Sequence, residues 1–231
     1  MRNIRRSPTT TDAGSTSVSA PASFTGSAAD FIPPHPTLAK LREAAARCRG
    51  CDLWAVGTQT VFGEGPRGAE LMFVGEQPGD QEDRAGEPFV GPSGRLLDAA
   101  LEAAGLDRSK VYVTNSVKHF KWERGEKGQR RIHKKPNAME IRACRPWLEE
   151  EITIVKPRVI VCLGATAAQS LLGNEFRVTR HRGEAVESQW ADAVFATVHP
   201  SAVLRTPSAA REQAQREFFA DISRVAAYVK G

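Results

Sequence analysis

Three residues placed directly after apolar runs are the first candidates for chemistry in this chain. Glu76 follows Leu71-Met72-Phe73-Val74-Gly75, Asn115 follows Val111-Tyr112-Val113-Thr114, and His199 follows Val194-Phe195-Ala196-Thr197-Val198. Each run reads as a buried strand of a parallel sheet. A polar residue at one strand end needs no explanation beyond solvent. An acid, an amide and an imidazole at the same edge of one sheet can instead converge on a crevice, which is where open α/β sheets bind ligands. The first run leads into some eighteen residues rich in Gly, Pro and carboxylates, from Gly75 to Pro92. So long a connection between strand and helix is normally functional. It makes Glu76, Gln77, Asp80, Glu82, Asp83 and Phe89 candidates for the rim of the site.

Two further groups have spacing worth weighing. Cys48 and Cys51 form a CxxC; Cys144 follows after 92 intervening residues and Cys162 after 17 more. CxxC brings two thiolates within reach of one metal or cluster. Cys162 lies within the apolar run Val159-Ile160-Val161-Cys162-Leu163, where a buried free thiol is unexceptional. Spacing alone therefore leaves a four-thiolate metal site level with inert core cysteines. The segment Lys118–Lys135 carries eight Lys/Arg against two acids, with Phe120 and Trp122 among them. Cations interleaved with aromatics suit single-stranded nucleic acid, and a solvated basic loop accounts for the charge equally well. The net charge of +5 agrees with a polyanionic partner.

The elements that must position these residues follow from periodicity. Strands are expected at 70–74, 111–114, 158–163 and 193–198. Helices are expected at 37–48, 93–104, 137–154, 164–172 and 208–229, the third opened by the capping box Asn137-Ala138-Met139-Glu140. Alternation of this kind predicts a three-layer α/β/α fold around a central, mainly parallel four-stranded sheet. The Ser/Thr/Ala/Pro-rich residues 1–34 are expected to form a disordered tail, leaving one domain over 35–231. No apolar run is long enough to span a membrane, and no apolar segment follows Arg2, Arg5 and Arg6 to make a secretory signal.

The combination of GEQPG at 75–79, EPFVGPSG at 87–94, Asn115, and HPSAVLR at 199–205 resembles the family 4-like uracil-DNA glycosylases. The resemblance covers roughly residues 37–230. GEQPG and the loop QRRIHKKP resemble the UdgX type, whose hallmark is a KRRIH loop; Gln129 stands where that motif begins with Lys. The resemblance implies a 4Fe-4S cluster on Cys48, Cys51, Cys144 and Cys162, structural rather than catalytic. It implies excision of uracil from DNA, single-stranded DNA preferred, by a monomer expected to be cytoplasmic, and nucleoid-associated if bacterial.

Breaking an N-glycosidic bond needs negative charge near the sugar and donors near uracil O2, with the base flipped into a pocket. On the resemblance, Asn115 pairs with the uracil edge and Phe89 stacks on the base. His199 donates to O2, and Gln77 and Asp80 line the pocket. His133 attacks C1′ and stays bonded to the abasic site, a step for which a neutral imidazole is a competent nucleophile, while Glu76 orients its ring or faces the sugar cation. Lys118, Arg130, Arg131, Lys134, Ser201 and Arg205 are expected to contact DNA. Two other readings stay open from sequence: a conventional multiple-turnover glycosylase, and a non-catalytic iron–sulfur sensor of uracil or abasic sites.

Overall fold

The computed structural model describes residues 26–125 and 130–231. Four parallel strands form the body of the sheet: β1 (Leu71–Gly75), β2 (Val111–Asn115), β5 (Val159–Leu163) and β7 (Ala191–Thr197). A short strand that sequence periodicity does not reveal, β6 (Val186–Ser188), pairs antiparallel with β7 and makes the sheet five-stranded, in the order β2-β1-β5-β7-β6. Three residues carry too little alternation to be read as a strand; an edge position beside β7 is what makes them one. A separate antiparallel hairpin consists of β3 (Trp122–Arg124) and β4 (Arg131–His133).

Both faces of the sheet are covered, as the unbroken apolar runs require. On one face Phe73, Val113, Val161 and Phe195 pack against α3 (Pro92–Ala103), α6 (Pro200–Arg205) and α7 (Ser208–Lys230). On the other, Met72, Val74, Ile160, Cys162 and Val194 meet α4 (Ala138–Val155) and α5 (Ala165–Leu172). The Asn137 capping box is present, with its side chain accepting from the Glu140 N–H. A third cluster joins α1 (Leu38–Ala45) to the start of α4 around Cys48, Cys51, Cys144 and Trp147. Residues 28–31, expected within the disordered tail, form a 3₁₀ turn whose Ala28 is buried in that cluster. The ordered domain therefore begins before residue 35. Residues 1–25, which make up most of the expected tail, lie outside the described residues. No helix among the described residues is long and apolar enough to cross a membrane.

Candidate active site at the strand ends

The parallel register lines up Gly75 with Asn115 and Leu163 with Thr197, so Glu76, Asn115 and His199 all emerge at one edge. In the order β2-β1-β5 successive strands are added on opposite sides of β1, and Glu76 follows β1 at that switch point, where open α/β sheets bind ligands. Asn115 is buried, and among the described residues its side-chain amide makes no hydrogen bond, which leaves donor and acceptor both available. The space it faces exists because residue 75 is glycine. A Cβ there would overlap the Asn115 side chain and come within 2.9 Å of the Phe89 ring.

Phe89 reaches this space through the long connection, which is not a loose loop. It holds a six-residue helix, α2 (Asp80–Ala85). The Glu82 carboxylate accepts from Gly79 N–H at 3.1 Å and from Gly91 N–H at 2.7 Å, tying the two ends together. Phe89 has φ 59°, a conformation costly for a side chain of its size. Its carbonyl rests where a Cβ of residue 94 would be, so only glycine fits there. The Phe89 and His199 rings lie 6.5 Å apart, with planes 25° from parallel.

His199 caps α6: its Nδ1 accepts from Ser201 N–H at 3.1 Å and lies 2.9 Å from Ser201 Oγ. An Nδ1 that accepts a backbone N–H carries no proton, so the neutral ring is protonated on Nε2 and presents a donor. Burial lowers its pKa to about 4, against the raising influence of Glu76, so the ring is neutral at physiological pH.

The hairpin β3–β4 brings His133 to this crevice. His133 is half-exposed, with Nε2 3.1 Å from Glu76 Oε1. The other Glu76 oxygen accepts from the Thr166 hydroxyl. Burial would raise the Glu76 pKa, but the bonds from His133 and Thr166, with the fields of His133 and His199, outweigh it and hold the carboxyl below its usual range. The side chains of Gln77 and Arg131 hold the hairpin in place. Gln77 donates to Lys134 O at 3.0 Å and Lys121 O at 3.3 Å, and accepts from Lys121 N–H at 3.0 Å. Its Nε2 also lies 3.2 Å from His133 Nε2 and 3.4 Å from His133 Nδ1, so the amide touches the ring as well as the hairpin backbone. Arg131 donates to Asp80, to Asp83 Oδ2 at 2.6 Å and to Thr58 Oγ1 at 2.9 Å, and its guanidinium lies over Phe120 and Trp122. Its side chain is 12% exposed.

Residues 62–223 match the model of the uracil DNA glycosylase superfamily. The chain belongs to that superfamily. It is 38% identical over 180 residues to a type-4 uracil-DNA glycosylase of Sulfurisphaera tokodaii, covering 74% of this chain and 78% of that one. It is 39% identical over 178 residues to the type-4 uracil-DNA glycosylase of Archaeoglobus fulgidus, covering 74% and 84%. With the Thermotoga maritima type-4 uracil-DNA glycosylase it shares 34% identity over 189 residues, covering 81% and 92%.

In this superfamily member several expected site residues lie elsewhere. Lys118 is fully buried, its ammonium 2.5 Å from Glu151 Oε2 and donating to Thr114 Oγ1 and Asn115 O, so it does not meet DNA. Asp80 binds Arg131 and Arg84; burial would raise its pKa, but the bonds and fields of Arg84 and Arg131 together outweigh it and hold the carboxyl below its usual range. Arg131, committed to Asp80 and Asp83, is not available to a phosphate. Arg130 and Arg205 are exposed; Lys134 pairs with Glu123 at 2.8 Å. Gln129 lies outside the described residues.

The cysteines divide three to one. Cys48 Sγ accepts from Trp147 Nε1–H at 3.3 Å and Gly50 N–H at 3.4 Å, and Cys144 Sγ accepts from Lys118 N–H at 3.2 Å. Such N–H donors favour thiolates, as a cluster requires. Cys162 sits in the central strand among Met72, Val74 and Ala196, in a different core cluster from Cys48, Cys51 and Cys144. It does not fit the ligand set expected of it. His119, missed by spacing arguments, is buried next in sequence to Lys118, whose N–H meets Cys144. Its Nε2 lies 2.9 Å from Thr60 Oγ1, whose hydroxyl donates to Ala45 O, and that carbonyl also accepts from Cys48 N–H. With Thr60's proton already placed, His119 Nε2 must be the donor, which leaves the Nδ1 lone pair free. Among the described residues no three His, Cys, Asp or Glu side chains are close enough to hold a single metal ion. An iron–sulfur cube holds its ligands further apart than one ion does.

Proposed function

We propose that the protein excises uracil from DNA and then becomes bonded to the abasic site through His133. The observation that carries this reading is the His133 ring, delivered by its own hairpin to 3.1 Å from Glu76 at the mouth of a crevice lined by Asn115, Phe89 and His199. A flipped uracil stacks on Phe89 and pairs its edge with the Asn115 amide. As the C1′–N1 bond breaks, its electron pair moves onto the base, and His199 Nε2–H donates to O2. Glu76 faces the sugar cation. The His133 nitrogen not held by Glu76 attacks C1′, and the proton on the other nitrogen passes toward the carboxylate. Single-stranded DNA is the preferred substrate, since an unpaired uracil gives up fewer contacts on flipping.

Cys48, Cys51 and Cys144, with His119 as the fourth donor, are the residues that would hold a 4Fe-4S cluster. When bound, it would tie the segment after α1 to α4 and to the residues following β2. The active site draws nothing from it directly.

Denaturing electrophoresis after incubation with a uracil oligonucleotide tests the function. The wild type gives a band resistant to denaturation, and His133→Ser gives none while still releasing uracil. Free abasic product with turnover from the wild type would establish a conventional glycosylase instead, and binding without either product would establish a sensor.

A further inference from the structure

Thr166 has no role in the chemistry above, yet its hydroxyl is 2.5 Å from Glu76 Oε2. It is buried in the first turn of α5, directly after β5. That places it across the switch point from Glu76, which follows β1. A carboxylate anchored by one oxygen cannot turn freely, and here the other oxygen is left aimed at His133. We propose that Thr166 is a positioning residue for the trapping step, fixing the Glu76 carboxylate so that His133 keeps its proton on Nε2 and offers the opposite nitrogen to C1′. This rests on the reading of His133 as nucleophile.

The groups facing Glu76 are few. His133 reaches it from β4, Thr166 from α5, and His199 acts from the start of α6. The start of α5 also presents unpaired backbone N–H groups, whose partial positive charge favours an anion nearby. Loss of the Thr166 hydroxyl removes a hydrogen bond that is stronger to the ionised carboxylate than to the neutral acid, so Glu76 then takes up a proton at higher pH.

The test is the pH dependence of adduct formation. Thr166→Val moves the acid limb upward by about one pH unit, the size expected for one hydrogen bond to a charged group, and Thr166→Ser restores the wild-type limb. A merely structural threonine would lower the melting temperature of the valine variant and leave the limb unmoved, which overturns the proposal. If Thr166→Val does not fold, Thr166→Ala is scored in the same way. In a Glu76→Gln background Thr166→Val must no longer move the limb; a shift persisting there belongs to another group and also overturns the proposal. Absence of a wild-type adduct at every pH would instead sink the reading of His133, and this inference with it.

Discussion

The strand-end crevice and the β3–β4 hairpin reach the same point by different means. Asn115 and His199 are placed by strands paired residue to residue in the sheet, and Glu76 by the end of β1. His133 sits on a hairpin whose strands are three residues each, fastened to the domain by side chains rather than by sheet pairing. Gln77 holds its backbone, and Arg131 pins it to Asp80 and Asp83 of α2. On the proposed function, recognition of a base would be a property of the fold, and delivery of the nucleophile an attachment to it. The two can therefore be damaged independently.

The largest effect that separates them is expected from Asn115→Asp. A carboxylate would face uracil O4 where the amide donates, and losing such a buried contact costs ~1–3 kcal/mol, or roughly tenfold to a hundredfold in the rate of excision. Excision and trapping should fall together, as followed by single-turnover uracil release. Arg131→Ala should act on trapping only. It frees the hairpin and leaves Asp83 buried without its cation, so adduct yield drops about tenfold while uracil release stays within about twofold. Equal loss of both activities would show that the hairpin also shapes the crevice. The smallest effect is expected at Cys162. Cys162→Ser should leave iron content and visible absorption near wild type, and Cys144→Ser should lose both. Loss of iron in the Cys162 variant would restore it as a ligand and return His119 to a structural role.

The sequence reveals most where the signal is local. Apolar runs locate the four parallel strands within one or two residues, and Asn137 with Glu140 marks the start of α4. Because strand ends share an edge in any parallel sheet, Asn115, His199 and Glu76 could be brought together without coordinates. What stayed hidden depends on partners far along the chain. Lys118 reads as one cation of a basic run, and only Glu151, thirty-three residues on, makes it a buried ion pair. Arg131 is indistinguishable from a phosphate ligand until Asp80 and Asp83 are seen beside it. Cys162 fits the spacing of a ligand, but strand alternation turns its thiol into the apolar core. The buried His119 carries no local mark of its neighbours.

The Gly75–Pro92 connection, fastened by Glu82 at both ends and locked by the fit of Gly94 under Phe89, is already in its final shape. The conformational entropy of that segment, on the order of 1–2 kcal/mol per residue, is lost when the chain folds and not when a base arrives. A planar guest would meet an aromatic wall that needs no ordering, so little of the binding free energy is spent on immobilising the host.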